Sequence, residues 1–210
     1  MPTRRTFFLC LSLLMFCGWS GQSVLAQGSE LPARASVFVD TLGKDAVAVM
    51  ATRGYTKAQR IERFRAMLQT NFDIPTIARF VLGRYWNLAT PEQQQDYFKL
   101  FEEMVVRSYA DRFDTYNGET FHIGASRPEG VHDAFVGTEI HRPNGPPVNV
   151  EWRVRERGGR LGIIDVVVEG VSMSVTQRQE FSSVIQSKGG NIGAFLQALR
   201  DKNSAMAGAQ

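Results

Sequence analysis

The chain is poor in cysteine and histidine, with two of the first and three of the second in 210 residues. Both cysteines, Cys10 and Cys17, fall inside the apolar run from Phe7 to Trp19. That run follows Arg4 and Arg5 and precedes Val24-Leu25-Ala26, which has the small-x-small form of a cleavage site. This is the layout of an export signal removed near Ala26, and the run is too short to span a bilayer. A mature chain beginning at about Gln27 then carries no thiol. It can use neither a disulfide framework nor a cysteine nucleophile, so its fold has to rest on its own core. Leu9 and Phe16 stand before the cysteines where lipidation needs a small residue. Thr3-Arg4-Arg5-Thr6-Phe7-Phe8-Leu9 has the form of a twin-arginine motif, and the apolar core behind it suits general secretion equally well.

Other absences narrow the function classes. The chain has no phosphate-binding glycine loop, no nucleophile elbow, no internal repeat and no second long apolar run. His122, His132 and His141 occur singly, without metal-ligand spacing, so neither a metal nor a cofactor is expected. Losing Arg4 and Arg5 from 24 basic residues leaves 22 against 21 acidic ones. A nucleic-acid partner needs concentrated basic charge, which this near-balance does not offer. The remaining residues, 27–210, are long enough for one domain with a sizeable core.

What is present reads as helices, then strands, then helices. Val37, Phe38, Leu42, Val47 and Met50 recur loosely at helical spacing between Leu31 and Gly54. Thr56 opens a second helix with Ile61, Phe64, Met67 and Leu68 on one face, and a short apolar segment, Ile77 to Leu82, follows Pro75. Thr90-Pro91-Glu92-Gln93 is a capping threonine, a first-turn proline and a glutamine placed to close a capping box. The helix it starts is predicted to reach about Tyr116, with Tyr97, Phe98, Phe101, Met104, Val105, Tyr109 and Phe113 as its apolar stripe.

Period-two patterning takes over after Gly118. Phe121, Ile123 and Ala125 alternate with polar residues, and Val131 to His141 forms a second strand. Pro143-Asn144-Gly145-Pro146 turns the chain. Val148, Val150, Trp152 and Val154 then make a dry face against Asn149, Glu151, Arg153 and Arg155. Gly158-Gly159 leads into Leu161 to Val168, apolar at nearly every position and so expected to be covered on both faces. Two helices, Val171 to Ser187 and Asn191 to Lys202, close the chain. The order predicts an α+β domain in which helices cover one face of a curved four-stranded antiparallel sheet. Asp165 is the carboxylate that this arrangement would bury. A buried carboxylate can serve as a general base, or it can be held by an arginine or by backbone amides, and the residue pattern leaves both readings open.

Two stretches carry a family resemblance. Phe72-Asp73, Ala78-Arg79, Leu82-Gly83-Arg84-Tyr85-Trp86, Ala89-Thr90-Pro91-Glu92-Gln93 and Phe101 resemble the signature of the MlaC or toluene-tolerance family. Asp165-Val166, Glu169-Gly170-Val171-Ser172, Arg178, Phe181, Gly189 and the Leu196 to Leu199 ending match at the same spacing. Gln177 and Ser174 depart from the pattern, where tyrosine and an aliphatic residue are usual, and bear on which lipid is handled. The resemblance implies a periplasmic phospholipid carrier with an NTF2-like cone enclosing an apolar cavity. Its acyl chains would be held between sheet and helices, and its partners would be membrane-anchored lipid-transport complexes at the inner and outer membranes. The wall it implies takes Phe101, Met104, Val105 and Tyr109 from the long helix, and Val136, Ile140, Val148, Val150, Trp152, Val154, Ile164 and Val166 from the strands. Arg153 and Arg155, beside Arg157 and Arg160, are the expected docking charges.

Three alternatives stay open. One is the hopanoid-associated branch of the same family. The second is an enzyme of the ketosteroid-isomerase type with Asp165 as base, and the third is an adaptor with a filled core and no ligand.

Overall fold

The computed structural model describes residues 24–52, 54–110 and 116–208. Nearly all of the expected leader, with Cys10 and Cys17, lies outside the described residues, as does Phe113. Helix α1 spans Val24–Ala51, α2 Lys57–Asn71 and α3 Ile74–Leu82. A 3-10 helix over Gly83–Leu88 leads to α4, Pro91–Ala110. Strands follow at β1 Thr120–Glu129, β2 Asp133–His141, β3 Val148–Arg157, β4 Arg160–Val168 and β5 Val171–Ser172, and the chain ends in α5, Met173–Ser187, and α6, Ile192–Gly208.

The helix starts follow the capping signals. Thr56 and Gln59 form a reciprocal capping box at α2, and at α4 the Gln93 amide donates to Thr90 Oγ1 (3.2 Å) while the Gln93 side chain accepts from the Thr90 amide (3.0 Å). Helix α4 is described to Ala110, and residues 111–115, through which the sequence extends it to about Tyr116, lie outside the described residues. Tyr116 and Asn117 are no longer helical, because Glu119 draws them into a turn: its carbonyl accepts from the Tyr116 hydroxyl and its carboxylate from the Asn117 amide.

The sheet has five strands in the order β1-β2-β3-β4-β5, all antiparallel and open at both edges, where the sequence predicts four. The extra strand comes from the start of the expected helix at Val171. Glu169 and Gly170, both with positive φ, fold the chain back so that Val171 and Ser172 pair with Val168 and Val167. Glu169 is the only described non-glycine residue with positive φ, and it is tied down by bonding through both its amide and its carboxylate to Asn149. Ser172 then caps α5. A register shift in β1 between Ile123 and Ser126 corrects the expected alternation, leaving Ala125 exposed and Ser126 half-buried. In β4 only Ile163 is fully buried and its neighbours are half-buried, because only the short β5 separates β4 from the sheet edge.

Two cores result. In the first, α1 lays Leu31, Ala35, Val39 and Leu42 on Ala134, Val136, Val154 and Ile163 of the sheet. The second is helical and rich in aromatic rings, with Tyr97, Phe101, Phe181 and Phe195 from α4, α5 and α6 packed at centroid distances of 4.9–6.3 Å. The Tyr97 hydroxyl donates to the Ala78 carbonyl (2.9 Å), and burial pushes its pKa well above the ordinary tyrosine value. Phe72 touches both cores, and the amide of Asp73 donates to the Ile163 carbonyl (2.9 Å), so the α2–α3 junction is stitched to β4.

Candidate functional site

Between the two cores the structure leaves a pocket of about 450 Å³. Its walls are Phe64 and Leu68 from α2, Phe72, Ile74, Ile77 and Val81 from the stitched junction and α3, and Phe101, Met104, Val105 and Tyr109 from α4. Trp152, Val166 and Val168 form the sheet side, and Met173 opens the α5 side. Polar groups stand at Ser108, Asp165, Ser174, Thr176, Gln177 and Glu180. Such a surface offers dispersion contacts over most of its area and hydrogen bonds at few points, which suits an apolar ligand with one polar end. A smaller apolar pocket of about 150 Å³ lies under the C-terminal half of α1.

Six of the residues expected to form the wall meet here: Phe101, Met104, Val105, Tyr109, Trp152 and Val166. The other six lie elsewhere. Val136 and Val154 are fully buried beneath α1. Ile140 lines the smaller pocket, and Val148 is paired with it in the β2–β3 register. Val150 is 4% exposed, paired with Thr138 and Val168. Ile164 sits in the register shift opposite Arg153 and Val154 and is not part of the wall. The wall also takes residues of α2 and α3. Phe64, Leu68 and the Ile77 to Leu82 segment are legible as apolar faces, but nothing local says that these faces meet a space. The two departures from the family pattern, Ser174 and Gln177, are both on the wall.

Asp165 has no arginine partner among the described contacts. One of its oxygens accepts from the amides of Val166 (2.9 Å) and Ser174 (3.1 Å), and the other from the Ser172 hydroxyl (2.6 Å). Its carboxylate therefore ties β4 to the first turn of α5. His122 and His141, read as isolated from their spacing, adjoin across β1 and β2 with ring centroids 4.7 Å apart. His141 contacts Glu139 and His122 contacts Thr120, and among the described residues no group of three metal-capable side chains forms.

The arginines expected to dock partners face away from α1 and are already engaged. Arg153 and Arg155 both bond Asp133, at 3.0 and 2.6 Å through their Nε atoms. Asp133 is 3% exposed. Burial alone would raise its carboxyl, but the hydrogen bonds and charges of Arg155 and Arg153 outweigh this and hold it below the ordinary aspartate value. Arg127 and Arg153 also flank the Phe135 ring. Arg157 lies 3.8 Å from Asp73, and Arg160 is exposed.

Comparison with known proteins agrees with this geometry. The family model described as MlaC protein matches residues 40–201. The toluene tolerance protein ttg2D of Pseudomonas putida is 24% identical over 109 residues, 52% of this chain and 51% of that protein. The intermembrane phospholipid transport system binding protein MlaC of Haemophilus influenzae is 26% identical over 113 residues, 52% of this chain and 53% of that protein. The chain thus spans about half the length of the curated relatives it matches. A phospholipid-binding protein from Ralstonia solanacearum, solved in complex with a phospholipid, superimposes with a TM-score of 0.73 at 25% identity, covering 82% of this chain and 98% of that one.

Proposed function

The chain belongs to the MlaC family, and from that premise we propose that it is a periplasmic carrier holding the acyl chains of a phospholipid in the seam pocket. The observation that carries the reading is an unfilled, largely apolar pocket of about 450 Å³ between two packed cores, in a fold shared with a phospholipid-bound protein. Two acyl chains of about thirty methylenes lose about 25 kcal/mol when exposed to water, so a carrier must replace the bilayer with an equally dry interior. Phe101, Met104, Val105, Trp152 and Val166 supply such contacts, and Tyr109, 37% exposed, stands where a head group would meet water. In this reading sheet and helices form a cone closing around the chains. Residues 1–26 are the removed leader, and residues 27–210 act as a single domain.

The partners proposed are membrane-anchored lipid-transport complexes at the inner and outer membranes, between which the carrier shuttles. Arg153 and Arg155 remain the proposed docking charges, with Asp133 setting their orientation. The role is binding and transport, not catalysis, and it needs no metal or cofactor. The bonding of Asp165 to Val166, Ser172 and Ser174 supports a structural duty for that carboxylate.

The test is extraction of purified mature protein with organic solvent, followed by mass spectrometry of the extract. About one diacyl phospholipid per chain is expected. Hopanoid alone would move the reading to that branch of the family, and protein free of lipid in several preparations would contradict it. N-terminal sequencing of the same material should begin at about Gln27.

A further inference from the structure

The apolar space on the inner side of the sheet comes in two compartments. The larger is the seam pocket of about 450 Å³. The smaller, about 150 Å³, is bounded by Leu42, Val47 and Met50 of α1 and by Phe121 and Ile140 of the sheet. Trp152 is the only described residue that lines both. We propose that the Trp152 indole is the partition that sets how much acyl chain the protein holds, closing off the smaller compartment until it turns aside. The inference rests on the carrier reading above.

Volume argues for a partition that opens. A protein cavity of about 150 Å³ accommodates one benzene, six carbons, so the seam pocket has room for about eighteen carbons and the smaller compartment for about six. One ordinary chain fills the first. A diacyl lipid with about thirty methylenes exceeds it and needs the second, together with some widening. Sealed, the smaller compartment is out of reach from the seam pocket. With the indole turned, the two become one continuous space.

The indole is held by a latch as well as by packing. Its Nε1–H donates to Thr138 Oγ1 (2.9 Å). That hydroxyl gives its own proton to the Val150 carbonyl (3.0 Å), so its lone pair faces the indole. Thr138 is buried, which fixes the acceptor in place. Trp152 itself is half-buried and bordered by open space on two sides, a poor arrangement for rigid packing. Phe121 meets it edge-on at 6.4 Å. That ring fits under α1 only because position 43 is glycine, where a Cβ would lie 2.4 Å from it. Breaking one hydrogen bond and sliding past Phe121 is a small rearrangement beside the apolar area a second chain brings.

The experiment compares wild type, Trp152→Ala and Thr138→Val, each stripped and reloaded from vesicles of phosphatidylglycerol with matched 14-carbon or 18-carbon chains. The readouts are bound lipid by mass spectrometry and its release rate into acceptor vesicles. Trp152→Ala should raise the preference for 18-carbon over 14-carbon chains by about tenfold, and Thr138→Val, with the latch cut and the indole kept, should speed release several-fold. Should Trp152→Ala fail to fold, Trp152→Phe decides by the same chain-length readout, with a smaller shift in the same direction. An unchanged preference in folded Trp152 variants overturns the partition while leaving the carrier reading intact. Wild type that takes up neither lipid overturns both.

Discussion

The helical core around Tyr97 and the seam beside it are built from the same kind of residue and end in opposite states. In the first, rings from three helices fill the space between them. In the second, equally apolar side chains surround a void of about 450 Å³. Phe101 and Met104 belong to both, packed in the core and also on the wall. The difference therefore does not come from residue type. It comes from how far apart the backbone holds its neighbours, through the stitch of Asp73 to Ile163 at one place and the tie of Asp165 to the start of α5 at another.

The sharpest break of this contrast is truncation on either side of α4. Tyr97→Ala empties a filled site and should cost about 3–5 kcal/mol in urea unfolding. Val105→Ala trims a side chain that borders the pocket and should cost far less. Equal losses would mean that the seam is packed core.

Enlarging side chains gives the opposite test. Val150→Trp forces bulk into a buried strand position and should destabilise by about 1–3 kcal/mol. Val105→Trp projects into the pocket, and its effect on stability should stay near 0.5 kcal/mol while bound lipid falls. If Val150→Trp is the variant that stays stable and loses lipid, the wall has been drawn on the wrong residues.

Much of this architecture is legible in the sequence, for reasons specific to each element. The Thr90-Pro91-Glu92-Gln93 start is legible because capping is local chemistry, complete within one turn. The alternation of Val148, Val150, Trp152 and Val154 marks the inner face of β3 for the same kind of reason. Alternation gives the face of a strand but not what lies opposite. Val154 meets α1 and Trp152 meets open space, although the two are neighbours on one face. Strand β5 is not legible because two residues carry no period, and the Asp133 clamp is not legible because Asp133 lies on a different strand, 20 and 22 residues before its two arginines.

That clamp makes the sheet sensitive to acid, as Glu103, which the hydrogen bonds and charges of Arg65 and Arg107 hold below its ordinary value against burial, makes α4. The folded-state pKa of Asp133 is lowered, so its contribution is full above the unfolded value of about 3.9 and is lost as pH falls through the folded value. Hydrogen exchange should show β2 and β3 losing protection in acid before α6 does. Asp133→Asn should remove that difference at a cost of about 1–2 kcal/mol at neutral pH, kept modest because water reaches both arginines. The same clamp means that reversing Arg153 and Arg155 to glutamate would gather three carboxylates and lower stability. Docking is therefore better tested by Arg153→Gln, which should slow transfer between membranes at low salt and have less effect at high salt.

The most direct measurement of where the chains lie uses the protein's own tryptophans. Trp152 is on the pocket wall, Trp86 packs against Phe98 outside it, and Trp19 belongs to the expected leader. Mature protein loaded with a phospholipid brominated along its acyl chains should show strongly quenched emission in the Trp86→Phe variant, where Trp152 is the emitter. Emission should be nearly unchanged in the Trp152→Phe variant, where Trp86 is. Equal quenching of both, or quenching of Trp86 alone, would contradict the placement of the acyl chains between the two cores.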